Sequence, residues 1–143
     1  MATSVRVRNA IKIEIPEIGN PRTVRYFLEE NIIGSAYFNA LKSVSTLNDS
    51  IISDWLHIST KTYQTYRKQG VLSKENTQEH VVLLLALYQH GEEVFETSEN
   101  FDKWLISPNF YLYNKAPKDY LGTITGIKII DDRLTAMEFG DNI

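Results

Sequence analysis

The sequence contains no cysteine in its 143 residues. That excludes a disulfide framework, a thiolate metal site and a thiol nucleophile together, and it agrees with a reducing compartment. Long apolar runs are missing too. No uncharged apolar stretch approaches the roughly 18 residues of a membrane span, and the opening "MATSVRVRNAIKIEIPEIG" lacks the apolar core of a signal peptide. A soluble, cytoplasmic protein with no membrane association is expected. Histidine is sparse: His57, His80 and His90 stand at separations that suit no usual metal triad, so satisfied or solvated imidazoles are expected. There is no phosphate-cradling glycine loop, no nucleophile elbow and no two-histidine helix. Carboxylates are plentiful but scattered. The chain is read as a non-enzyme, with no catalytic residue, no metal and no cofactor.

What is present is ordinary globular composition, 43% apolar and 23% charged, enough for one domain or two very small modules. The net charge of −3 draws no nucleic acid to the molecule as a whole, but charge is uneven along the chain. Ser59 to Lys74 holds Lys61, Arg67, Lys68 and Lys74 with no acid, whereas Glu75 to Asp102 holds only acids. A local basic patch suffices for a few phosphate contacts; it is equally what a solvated helix face looks like.

Residues 5–15 alternate in part: Val5 and Val7, then Ile11, Ile13 and Ile15, lie on period two with Arg6, Arg8, Lys12 and Glu14 between them. Pro16, Gly19 and Pro21 break the pattern, so a short strand or extended arm is expected, either packed on its own domain or pairing across a dimer. Helical spacing follows. Val24, Phe27, Leu28 and Ile32 form one apolar face, and Phe38, Leu41 and Val44 another. Asp49 is expected to cap "SIISDWLHI", with Ile51, Ile52, Trp55 and Leu56 inward. Ser59 caps "TKTYQTYRKQ", which Gly70 stops, and Ser73 caps a longer helix with Val81, Leu84, Leu85 and Tyr88 on its face.

The pair "SIISDWL-HIS-TKTYQTYRKQG" has the spacing of a helix-turn-helix, whose first helix braces a second that reads the major groove. Thr60, Lys61, Gln64, Arg67 and Lys68 are long or polar enough to reach DNA, while Thr62 and Tyr63 fall nearer the core or rim. Gln pairs with adenine and Arg with guanine; Lys and Thr suit phosphates. Any three-helix bundle contains such a pair, so the spacing alone also fits plain packing.

The stretch "FDKWLISPNFYLYNKAPKDYLGTITG" (Phe101 to Gly126) carries two Pro, two Gly, one Trp and five further aromatics. Phe101, Trp104 and Leu105 share a helix face, Pro108 ends that helix, Asn109 caps a turn, Pro117 opens a short helix, and Thr123 caps a last helix stopped by Gly140. In the absence of catalytic groups this is read as packing and recognition.

From Phe101 onward the chain resembles the toxin-binding domain of the Xre/MbcA/ParS antitoxins. Their pattern is an F-x-x-W-L helix, a P-N-x-x-L turn, P-x-D-x-L, T-x-x-G and an L-x-x-x-E-x-G ending. Phe101, Trp104, Leu105, Pro108, Asn109, Leu112, Pro117, Asp119, Leu121, Thr123, Gly126, Leu134, Glu138 and Gly140 match it in order. The preceding half resembles the family's Xre-like region, so the likeness covers roughly residues 50–143 and is only loose before them. One departure stands out: "YNKA" follows Leu112 where the family usually has a glycine-rich turn, so Tyr113 and Asn114 must make it, and Asn tolerates positive φ better than Tyr.

The helical spacing and the resemblance together lead to an expected mainly α fold: an N-terminal strand or arm (residues 1–22) from the alternation, then an Xre-like helix-turn-helix bundle (23–97) and a small helical toxin-binding domain (98–143). The resemblance implies the antitoxin of a type II toxin–antitoxin pair. Such a protein neutralises a RES-type toxin, a class associated with attack on NAD, and represses its own operon by binding operator DNA, as a homodimer or a larger assembly with the toxin. Candidate toxin contacts are Ile130, Arg133, Leu134, Met137, Phe139, Asp141, Asn142 and Ile143; for Ile130, Leu134 and Met137, core packing is the competing role. A free-standing transcription regulator and an interaction adaptor that never touches DNA are the alternatives.

Overall fold

The computed structural model describes residues 2–5 and 13–140. Strands β1 (Ala2–Val5) and β2 (Ile13–Pro16) pair antiparallel, Ala2 opposite Pro16 and Val5 opposite Ile13. The strand therefore pairs within its own chain, and Ile15 enters the core. The alternation at Arg6, Val7, Arg8, Ile11 and Lys12 lies outside the described residues.

Among the described residues seven helices follow: α1 (Pro21–Glu30), α2 (Ser35–Val44), α3 (Asp49–Trp55), α4 (Thr60–Tyr66), α5 (Glu75–Phe95), α6 (Ser98–Leu105) and α7 (Ile124–Glu138). Two 3₁₀ turns, Phe110–Leu112 and Pro117–Tyr120, join α6 to α7. The fold is mainly α with a short strand element at its N-terminal end, as the sequence leads one to expect.

The architecture is built around α5. Every residue from Val81 to Tyr88 is buried, not only the Val81, Leu84, Leu85 and Tyr88 stripe expected from periodicity. A helix apolar all round must be covered all round. Here α2, α6, α7 and the strands pack against it. Each fully buried Leu or Val on it contributes about 1.5–3 kcal/mol relative to exposure, so this segment holds the molecule together.

Helix starts follow capping chemistry, with two corrections. Asn20 caps α1 through Oδ1, which accepts from Arg22 N at 3.0 Å and Thr23 N at 3.3 Å, and Pro21 fills the first helical position. Asn48, not Asp49, caps α3, accepting from Ile51 N at 3.0 Å. Asp49 takes the first turn instead, where an acid suits the positive end of the helix dipole. Ser59 caps α4 as expected, accepting from Thr62 N at 3.0 Å. Lys74 rather than Ser73 is the cap residue of α5, without a side-chain bond; the Ser73 carbonyl accepts from Gln78 Nε2 at 2.8 Å.

Two further expectations fail for one physical reason, an earlier stop. The helix α1 ends at Glu30 with Asn31 extended, so Ile32 leaves the apolar spacing and stands 81% exposed. The helix α4 ends at Tyr66, and Gly70, at φ +84°, serves the turn beyond it rather than the cap.

Candidate functional site

The helices α3 and α4 are joined by a four-residue turn, Leu56 to Ser59, in which His57 adopts φ +57°. Ile52, Trp55 and Leu56 bury the bracing helix, and Tyr63 buries α4. Thr60, Lys61, Gln64 and Lys68 lie exposed on the outer side of α4 and just beyond its end. Arg67 differs. It is half-buried, its Nε donates to Asn39 Oδ1 at 3.2 Å, and Asn39 Nδ2 donates back to the Arg67 carbonyl at 3.0 Å. Its guanidinium also lies 5.8 Å from the Tyr63 ring centroid. Of the five residues expected to face DNA, four are presented to solvent and the fifth is tied to α2.

Three side chains fasten this half of the chain to the segment before α7. Trp55 Nε1 donates to the Lys118 carbonyl at 2.9 Å. His57 Nε2 lies 2.6 Å from the Gly122 carbonyl, and His80 Nε2 2.8 Å from the Leu121 carbonyl. Burial lowers the His80 pKa, so the neutral ring with its proton on Nε2 is the form that makes this bond. Two of the three histidines are thus satisfied by backbone carbonyls, as expected. Among the described residues no cluster of potential ligands could hold a metal ion.

The aromatic stretch divides between core and surface. Phe101, Trp104 and Leu105 are buried on α6, where the Trp104 ring centroid lies 5.5 Å from Phe95 and 6.0 Å from Phe101. Asp102, buried beside them, accepts from Tyr88 Oη at 2.5 Å, Ser45 Oγ at 3.2 Å, Thr46 N at 2.7 Å and Thr46 Oγ1 at 2.9 Å. One carboxylate therefore ties α6 to α5 and to the end of α2.

Beyond Leu105 the character reverses. Asn109 is buried, caps the first 3₁₀ turn by accepting from Tyr111 N at 2.9 Å, and forms an isolated antiparallel bridge with Lys115. Between those two, Leu112 points inward while Phe110, Tyr111 and Tyr113 are 81%, 45% and 89% exposed. Tyr113 and Asn114 both take left-handed backbone, at φ +57° and +63°, as the turn requires. Phe110 and Tyr111 pack edge to face at 5.6 Å, and the Arg133 guanidinium from α7 sits 3.9 Å from the Tyr111 ring centroid. Sequence reading assigned none of these three aromatics to a site; their signal was position, beyond the apolar face of α6 in a turn bounded by Pro108 and Pro117.

The toxin contacts expected on the last helix fall into three groups. Ile130 and Leu134 are wholly buried against the core, so they hold the helix in place from beneath. Arg133 and Met137 are half-buried, and Phe139, just past the helix, is 86% exposed. Asp141, Asn142 and Ile143 lie outside the described residues. Gly140 closes the helix at φ +98°, as expected. Near that end, His90 of α5 bonds Asp131 through Nδ1 at 2.6 Å and Glu138 through Nε2. Burial would push the imidazole down, but these two acids outweigh it and hold its pKa up at about 9.

Among the described residues, no helix is long and apolar enough to cross a membrane. No curated protein matches the chain. The pair α3–α4 lies ahead of the one segment for which a family is found. Residues 90–140, which hold the end of α5, α6, the aromatic turn and α7, match the family model of the antitoxin Xre/MbcA/ParS C-terminal toxin-binding domain.

Proposed function

We propose that this chain neutralises a RES-type toxin through its C-terminal segment and represses its own operon through α3–α4, as a homodimer that also assembles with the toxin. The observation that carries the reading is the family match at residues 90–140, which assigns toxin binding to that segment. The RES class of the partner is drawn from the sequence resemblance. Neutralisation in this reading is occlusion: a protein inhibitor needs an apolar anchor with a polar rim and no catalytic group of its own. Met137 and Phe139 supply such an anchor at the end of α7, and Asp141, Asn142 and Ile143 continue from it. An acidic tip beside an apolar anchor would pair with arginines of a site built for an anionic nucleotide. DNA contact is supported by Thr60, Lys61, Gln64 and Lys68 standing exposed on one short stretch free of acids.

Co-expression tests the first half. Cells producing a cognate RES-domain toxin should survive only with the full chain present. Survival without the chain, or death despite it, would defeat the reading. Mobility shift of the DNA upstream of the gene tests the second half, and absence of any shift at low salt would leave an adaptor role in its place.

A further inference from the structure

Among the described residues, the turn between Asn109 and Lys115 holds three of the six large apolar side chains that the matched segment exposes. A chain end can fray, but this turn is built. Asn109 caps it, the bridge to Lys115 closes it, Leu112 anchors it in the core, and Tyr120 Oη donates to the Leu112 carbonyl at 3.2 Å. Rigid aromatics on a fixed turn lose little entropy on binding, which is what an interface anchor needs.

Tyr113 makes the case sharper. Left-handed backbone suits glycine and is tolerated by asparagine, yet here a tyrosine adopts it at φ +57° with its ring almost wholly in solvent. The turn fixes the backbone, but among the described residues nothing packs against the ring, which is 89% exposed. Strain of this kind is retained where the surroundings fix it and a function uses it. The rim carries two cations, Lys115 beside the turn and Arg133 against Tyr111, while Lys118 is paired with Asp119 at 3.0 Å.

We propose that Phe110, Tyr111 and Tyr113 form a second docking patch for the toxin, separate from the end of α7, which selects a partner presenting an apolar hollow with an acidic rim. The patch lies inside the segment matched to a toxin-binding domain, and this argues for the toxin as occupant over DNA or a second copy. It rests on the proposed function and adds to it: α7 blocks the toxin, and the aromatic turn chooses which toxin is held. Arg133 stiffens the patch through its cation–π contact with Tyr111.

The test uses the full chain and a cognate RES-domain toxin in a catalytically dead form, with binding read by calorimetry. Two substitutions suit the turn. Tyr113→Gly removes the ring while relaxing the backbone, so it cannot weaken binding by unfolding the turn; Phe110→Ser removes a ring that the core does not hold. Each should weaken toxin binding roughly tenfold or more, with the melting temperature not lowered and DNA affinity unchanged. Wild-type binding that survives both substitutions would overturn the patch and leave the proposed function standing. No binding by the wild-type chain would instead overturn the proposed function, and the patch with it. If sedimentation showed a wild-type oligomer that either substitution split, with toxin affinity unaltered, the occupant would be a second copy and the proposal would fall.

Discussion

At the scale of single residues, two acids hold His90 in its charged form. Asp131 and Glu138 of α7 both bond it, while Glu93 and Glu17 line the same hollow between α5 and the turn after β2. A histidine whose folded pKa stands near 9 stabilises fully below its unfolded value of about 6.5. That contribution then fades as pH rises through the folded value. The melting temperature of the wild type should exceed that of His90→Gln most at about pH 6 and least above about pH 9. A gap that widened with pH would reverse the assignment. Glycine 126 makes a steric demand at the same scale. A Cβ there would sit 1.7 Å from the Tyr120 carbonyl oxygen, which is fixed backbone, while Gly126 N donates to the capping Thr123 Oγ1 at 2.9 Å. Gly126→Ala should therefore cost about 1–3 kcal/mol or more by urea denaturation, although Ala is the better helix former.

At the scale of elements, α6 shows how packing and polarity work together. Removing its indole by Trp104→Ala should cost about 3–5 kcal/mol in chemical denaturation, because the ring is enclosed by Phe95 and Phe101. An unchanged denaturation midpoint would mean that these contacts contribute nothing. Several elements could be read from the sequence because their chemistry is local. Thr123 caps α7, Pro117 opens a 3₁₀ turn, Gly140 closes the last helix, and the pair Tyr113–Asn114 takes the turn forced by the missing glycines. The misread ones depend on neighbours. Asn48 and Asp49 are adjacent residues of nearly equal capping power, so only the entry angle of the chain decides between them. Ile32 continues a helical spacing that the backbone has already abandoned. Burial of α5 on all sides is a tertiary fact that a one-face pattern cannot express. The same limit governed the site: Ile130 and Leu134 look like anchors by periodicity and are core, whereas Phe110 and Tyr113 follow no periodicity and face solvent.

At the scale of the whole molecule, the two proposed binding activities should separate under mutation. Lys61→Ala and Lys68→Ala should each weaken binding to every DNA sequence and lower the salt slope by about one. Gln64→Ala should relax sequence preference instead, measured by competition with variant operators. Arg67→Ala should mix its outcomes, since it also breaks the tie to Asn39 and will lower the melting temperature. Removing the residues after Glu138 should abolish protection from the toxin and spare folding and DNA binding. Cutting one residue earlier should also lower the melting temperature, because Glu138 bonds His90.

The enclosure of α5 also sets a clock. The amide hydrogens between Val81 and Tyr88 lie under α2, α6, α7 and the strands at once, so no partial opening of one edge exposes them. They should exchange with deuterium only when the entire chain opens, and more slowly than any others. A protease that must cut within this helix waits on the same event, so the lifetime of the segment follows how often one helix loses all its cover together.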